Sequence, residues 1–355
     1  MTKLEFWTWL NGTGVARRAA KAEEQGWDGV ALGDSQNLLP DPFVELGIAA
    51  TVTSRLKLGT AVTNPLTRVP AALATAIATV HVESGGRAVL GIGRGDSALA
   101  HLGLGPVKVA AFGSYLYRLQ GYLRGEDVAF DREADARGIA PDASVLGMLD
   151  APQVSRLRWL DPAVTKVPVD VAASGPRMIE LGARSAESIT FALGLSQDRL
   201  TWAIELAQSV RREHSVDGAM GFGTYVPIIV HPDRNVARDL VSGMAASVAR
   251  FSVMHGRVAA PIEEHQGEAL RAVHASYKMS KHFTHGSPQS SHLDSETIDS
   301  FAIAGPPSYC VERISELADI GLSKIFVMDS GQGIDPKMVK KSRQCLVEEV
   351  LPAFR

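Results

Sequence analysis

A (β/α)8 barrel is the architecture this sequence predicts, on three observations. Eight apolar stretches of strand character alternate with helical patterns along the chain. Most of these stretches are almost continuously apolar rather than alternating, as parallel strands buried on both faces require. No cap or repeat boundary divides the eight units, so one domain over residues 1–355 is expected. A doubly wound sheet is the structural alternative. It usually needs fewer strands, and its GxGxxG dinucleotide turn is missing, because "GIGRGD" reads GxGxG.

The units follow in order. "KLEFWTWL" (3–10) precedes an Ala-, Arg- and Glu-rich helix ending near Gly26, and "GVALGD" (29–34) precedes a helix from Pro42. Trp7 and Trp9, two apart on the first strand, should share a face, as a pocket wall or as packing under the helices. "LKLGTAVT" (56–63) precedes the Ala-rich segment 70–84, and "AVLGIGRG" (88–95) leads to Asp96. "VPVDVAAS" (167–174) is followed by a helix opening at Pro176, where proline suits a first turn. "SITFALG" (188–194) feeds a helix to about His214, and "FGTYVPIIVH" (222–231) is followed by Asp233, a residue suited to an N-cap. "KIFVMDS" (324–330) leads to a terminal helix, 335–350.

Composition narrows the function. With 36 Lys and Arg against 39 Asp and Glu, the net charge is −3, which argues against a basic nucleic-acid surface. No apolar run reaches the roughly 18 residues of a membrane span, and "MTKLEFWTWLNGTG" has no long apolar segment of the signal-peptide kind. Cys310 and Cys345 form no CxxC pair and read as two reduced thiols on helix faces. A cytoplasmic location is the expectation.

The seventh and eighth strands are separated by about ninety residues, far more than an ordinary connection. Residues 240–300 are therefore expected to form an insertion, helical over 240–282 and rich in Ser, His and Gly over 283–297. Near a barrel mouth such a segment suits a substrate lid. It holds His255, His265, His274, His282, His285 and His292, but no HxxxH pair, so surface or lid histidines are expected rather than metal ligands.

Four motifs carry a resemblance: "LGTAVTNPLTRVP" (58–70), "GIGRGDSALAHLG" (91–103), "VPVDVAASGPRMIELGA" (167–183) and "FAIAGPPSYCVERISELADIGLSKIFVM" (301–328). Together they resemble the luciferase-like monooxygenase superfamily, and most closely its branch of methylenetetrahydromethanopterin reductase and other enzymes of the deazaflavin coenzyme F420. The resemblance spans nearly the whole chain and is weakest over 105–160 and 240–300. It implies an oxidoreductase that passes a hydride between coenzyme F420 and a small organic substrate. An FMN-dependent monooxygenase is the alternative, and a non-catalytic flavin-binding protein a third reading. A homodimer is expected.

Residue by residue, the resemblance implies a non-prolyl cis bond between Ala61 and Val62 behind the ring, with Asn64 at the ring edge. Free amides at Ser174, Gly175, Arg177 and Met178, beside Ala173 and Pro176, would take the cofactor phosphate at a helix start. An ordinary strand–helix turn is the plain alternative. Gly91, Gly93 and Gly95 leave one strand face bare for a flat cofactor or another backbone. Arg94 is expected near the cofactor tail, with Arg68 and Arg177 adding positive charge at the mouth. Asp96 matches an acid of the deazaflavin enzymes, either protonating the substrate or organising the polar end, against a plain helix cap. Asp34 lines the coenzyme site in this pattern and is the second catalytic candidate. Relatives often place a histidine after it; here Ser35 stands there, a poor proton reservoir.

Overall fold

The computed structural model describes residues 3–131, 139–141, 143–149, 152, 154–254, 257–258 and 261–355. Eight parallel strands close on themselves: β1 Glu5–Trp9, β2 Gly29–Leu32, β3 Lys57–Thr60, β4 Ala88–Ile92, β5 Val169–Ala173, β6 Ser188–Phe191, β7 Gly221–Val230 and β8 Lys324–Met328. β8 pairs with both β7 and β1, which completes the ring. The predicted strands 29–34 and 56–63 leave the ladder early. After Thr60 the chain bulges and returns, with the Thr63 amide on the Gly91 carbonyl at 3.0 Å and the Gly93 amide on the Thr63 carbonyl at 3.0 Å.

Helices cover the outside: α1 Val15–Glu24, α2 Pro42–Ala50, α3 Pro70–Glu83, α4 Ser97–Ala100, α5 Val109–Leu123, α6 Pro176–Ser185 and α7 Gln197–Glu213. Pro176 sits in the first turn of α6, as its fixed φ favours. A small antiparallel pair, Val128–Ala129 with Val154–Ser155, lies in the long connection before β5.

The connection from β7 to β8 is built around α8 Arg234–Phe251, α9 Glu264–Ser276, α10 Ser295–Asp299 and α11 Pro307–Asp319, with α12 Pro336–Cys345 following β8. Asp233 caps α8, its carboxylate accepting the Asn235 amide at 2.8 Å. The helix expected over 240–282 is instead two helices, and His255 lies outside the described residues. A short strand missing from the sequence reading, Ile303–Gly305, pairs in parallel with Ile228–Val230. A second apolar core, including Val241, Met244, Leu270 and Phe301, seats this segment on the barrel.

The barrel interior is filled by fitting large residues against absent side chains. Trp7 is buried there with Ala31, Ala61 and Phe326. A Cβ on Gly29 would lie 2.4 Å from the Trp7 ring and one on Gly59 3.0 Å from it, so both glycines are spaces for that indole. A Cβ on Gly91 would lie 1.9 Å from the Thr60 carbonyl oxygen. Gly91 therefore serves the approach of another backbone, one of the two roles expected of the glycine row. Gly91→Ala is expected to lose at least about 1–3 kcal/mol, the usual cost of overpacking, read as a lower denaturation midpoint. An unchanged midpoint would remove the close-approach argument.

Candidate functional site

At the C-terminal ends of the strands lies a cavity of about 760 Å³, the position at which barrels of this kind hold their chemistry. Every strand contributes: Trp9 from β1, Asp34 and Ser35 after β2, Ala61, Val62 and Asn64 after β3, and Arg94 to Ala98 after β4. Ala172 to Ser174 and Met178 come from the β5 end, Ala192 follows β6, Tyr225 lies on β7, and Met328 to Gln332 close the ring from β8. A roof of Val248, Phe251, Met254 and residues 279–280 and 282–283 comes from the β7–β8 connection. That roof is tied to the β8 exit by two backbone bonds of 2.8 Å, His285 amide to Gln332 carbonyl and Gln332 amide to Phe283 carbonyl.

The Ala61–Val62 peptide bond is cis, as the resemblance implies, and both residues face the cavity. Gly93 lies behind this wall; a Cβ there would meet Val62 Cγ2 at 3.2 Å. Gly95 lines the cavity with a left-handed φ of +79°, a backbone position that favours glycine.

Asp34 is 2% exposed and fully engaged. One carboxylate oxygen accepts from Thr63 Oγ1 at 2.6 Å and from Arg68 Nη1 at 2.8 Å; the other accepts from Gln36 Nε2 at 2.5 Å. Burial raises its pKa against the lowering effects of Thr63 and Arg68. Arg68 also reaches Asp41 at 2.5 Å and lies over the Phe43 ring.

Ser35 and Asn64 bear on whether a cofactor fits. Asn64 Oδ1 is used locally, accepting the Leu66 and Thr67 amides at 3.0 and 3.2 Å. Its Nδ2 and the Ser35 hydroxyl are buried with no hydrogen-bond partner among the described residues, as is Trp9 Nε1. Unpaired buried donors beside a large cavity are what a polar-edged ring would satisfy. The residues present fit such a group.

The β5 end departs from expectation in part. Ala173, Ser174 and Met178 face the cavity, whereas Pro176 and Arg177 are exposed and, like Gly175, are not in its wall. The Met178 amide is not free; it donates to the Gly175 carbonyl at 3.0 Å, because the first turn of α6 closes tightly. Arg94 does face the cavity. Its Nε donates to the Val107 carbonyl at 2.6 Å, and its two Nη nitrogens make no hydrogen bond among the described residues.

Asp96 is not a side-chain cap: α4 opens without a cap bond from it. Its carboxylate forms a bidentate pair with Arg250 of α8, through Nη1 to Oδ2 and Nη2 to Oδ1, the latter at 2.8 Å. Burial disfavours the Arg250 charge, but the Asp96 hydrogen bond and charge outweigh it and the guanidinium pKa is raised. Beside this pair, Tyr277 hydrogen-bonds His282, and the Arg250 guanidinium lies 4.8 Å from the Tyr277 ring centroid. Burial pushes the Tyr277 hydroxyl up to about 12. At the β8 end, burial raises Asp329, opposed by Arg343, whose Nε is 3.4 Å away. The sequence reading had not singled out Arg250, Tyr277, Asp329 or Arg343.

A closed parallel barrel with a mouth cavity lined by two carboxylates and unpaired donors is an enzyme architecture. The chain belongs to the luciferase-like monooxygenase family, which matches residues 10–324, and it is an oxidoreductase. It is 26% identical over 328 residues to the 5,10-methylenetetrahydromethanopterin reductase of Methanolobus tindarius, covering 92% of each chain. It is also 26% identical over 355 residues to the F420-dependent glucose-6-phosphate dehydrogenase of Microbacterium testaceum, covering 94% of this chain and 91% of that one. Among solved structures, the coenzyme F420 dependent tetrahydromethanopterin reductase of Methanopyrus kandleri superposes with a TM-score of 0.72 at 21% identity, covering 99% and 100% of the two chains.

Proposed function

We propose that the chain transfers a hydride between coenzyme F420 and a small organic substrate. The observation that carries this reading is the mouth cavity backed by Ala61 and Val62 and edged by the unpaired Ser35 and Asn64 donors. Relatives named for F420 or for a reductase, matching over most of the chain, support it. When bound, the deazaflavin supplies a two-electron hydride carrier. The protein's part is positional. Ala61 and Val62 back the ring, Ser35 and Asn64 hydrogen-bond its polar edge, and Asp34 stands in the wall, held from behind by Thr63 and Arg68. Ser174 takes the phosphate end, with Met178 packed beside it and Gly175, Pro176 and Arg177 outside the wall, and the Nη nitrogens of Arg94 meet the anionic tail. Asp96 is the candidate proton-handling or organising acid at the mouth. Residues 240–300 act as the lid, since the roof of the cavity comes from them.

FMN is the second reading, favoured by the family's monooxygenase members. Fluorescence titration with each cofactor separates the two. Arg94→Ala is expected to weaken F420 by about 1–3 kcal/mol, the range for a hydrogen bond to a charged group, and FMN less. Wild-type F420 affinity should fall with added salt as the charges are screened. Tight FMN binding without measurable F420 binding would replace the first reading by the second.

A homodimer is the assembly we propose. Val44, Ile48 and Val52 stand 62%, 48% and 47% exposed on and just beyond α2, an apolar row suited to a second copy. Sedimentation should give twice the chain mass; a monomer would refute it. The free thiols Cys310 and Cys345 support a reducing, cytoplasmic setting.

A further inference from the structure

The roof of the cavity carries an imidazole whose hydrogen bonding is fixed from behind. Ser247 on α8 donates its hydroxyl to the Gly243 carbonyl at 3.0 Å and accepts the Phe283 amide at 2.9 Å. Tyr277 Oη donates to Ser247 Oγ at 3.1 Å, which uses the one proton the phenol has. The same Tyr277 oxygen meets His282 Nδ1. With the Ser247 hydroxyl assigned to the Gly243 carbonyl and the phenol proton to Ser247, a hydrogen on Nδ1 completes the network and Nε2 keeps a lone pair. His282 faces the cavity, and its Nε2 makes no hydrogen bond among the described residues.

The ring is also held mechanically. Phe283 packs edge-on against it with centroids 4.3 Å apart, and Phe283 in turn packs edge-on against Trp9 at 5.7 Å. A Cβ on Gly243 would lie 2.2 Å from the Thr284 carbonyl oxygen, so α8 presses directly on the segment that presents the histidine. The charged and titratable groups facing His282 are Arg250 on α8, Asp96 after β4, His101 after α4, and Tyr277. Burial, then the Arg250 charge, lowers its pKa to about 4 against the opposing Asp96. The imidazole is neutral at neutral pH.

We propose that His282 Nε2 is the cavity's hydrogen-bond acceptor for a hydroxyl or N–H group of the bound small molecule, in the tautomer that Tyr277 imposes. The inference rests on the reading of this cavity as the cofactor and substrate site. It gives the mouth an imidazole nitrogen lone pair, a stronger proton acceptor than the Ser35 hydroxyl at the end of β2. The residue arrives from the β7–β8 connection instead of from the end of β2.

Two measurements on the intact protein test it. Two-bond proton–nitrogen correlation spectra of the nitrogen-15-labelled chain report the tautomer of each imidazole, with His282→Gln or His282→Asn giving the assignment. The expected ring is protonated at Nδ1 only and does not titrate between about pH 8 and pH 5.5, where an ordinary histidine would. Tyr277→Phe should move it towards the Nε2–H form. Diethyl pyrocarbonate, which acylates an unprotonated imidazole nitrogen, should modify His282 at Nε2 in the wild-type protein, and F420 or FMN should slow that reaction several-fold. A His282 found as Nε2–H, or unreactive, while a cofactor binds overturns the inference alone. If neither cofactor binds, the cavity reading fails and the inference falls with it.

Discussion

Asp96→Asn is expected to lower turnover roughly 10²–10⁴-fold, the range for losing a positioned proton-handling group. Asn keeps the size of the side chain and one acceptor for Arg250, so the roof should remain seated and F420 affinity should change little. The Arg250 pair sharpens the experiment. With both carboxylate oxygens accepting from the guanidinium, the orientation of the Asp96 carboxylate depends on that pair. Arg250→Gln separates the two roles left open for this acid. If Asp96 transfers a proton, releasing it from Arg250 leaves far more activity than Asp96→Asn does. If Asp96 serves to hold Arg250 and the roof, both variants lose activity together and both weaken cofactor binding. Normal turnover by Asp96→Asn would remove the residue from the catalytic proposal. The measurement is bleaching or recovery of the deazaflavin chromophore with substrate, alongside binding titrations.

The contrast between Asp34 and Asp96 shows which parts of the site were legible in the sequence. Asp34, Ser35, Ala61, Val62 and Asn64 lie at the ends of apolar runs, and a barrel delivers every strand end to one mouth. Reading the runs placed Asp34 at that mouth, whereas Ser35, Ala61, Val62 and Asn64 were named through the family resemblance. The Asp96–Arg250 pair joins residues 154 positions apart, and its partner depends on how the β7–β8 connection folds back over the mouth. Nothing in local spacing gives that. His282 was visible only as one of several histidines in this connection, because its tautomer and exposure come from Tyr277, Ser247 and Phe283 together. The Ile303–Gly305 strand is three residues long, too short for periodicity, although "FAIAG" before two prolines was an available signal. Asp329 was more accessible to reasoning, since it directly follows the apolar run of β8 as Asp34 follows that of β2. At the β5 end, Pro176 announced the helix start, but sequence could not show that the Met178 amide turns back to Gly175. Asp170 and Lys324 left a trace as well. Asp170 interrupts the apolar run of β5 and Lys324 opens that of β8, and a charge on such a strand calls for a partner.

That interior pair carries the largest expected effect on stability. Asp170 of β5 and Lys324 of β8 are both buried and form an ion pair inside the barrel, where Thr190 Oγ1 also donates to Asp170 Oδ2 at 2.7 Å. The ammonium lies 5.7 and 5.4 Å from the Trp7 and Phe326 ring centroids, and Trp7 packs in the same cluster as Ala61 of the cavity wall. The pair thus sits beneath the floor of the site. Lys324→Met keeps the aliphatic stem in the space that Gly223 leaves, where a Cβ would come within 2.8 Å of Lys324 Cε. It strands the Asp170 carboxylate, and breaking a buried pair from one side costs about 3–5 kcal/mol. Chemical denaturation of the variant should show that loss. The decisive comparison is the same change in an Asp170→Asn background, where Asn still accepts from Thr190 but carries no charge. There Lys324→Met should cost far less, since no uncompensated charge is created, with a coupling between the two positions towards the upper end of about 0.5–3 kcal/mol. Equal losses in the two backgrounds would mean that Lys324 stabilises the barrel through its stem and its aromatic contacts, and that charge pairing with Asp170 contributes nothing.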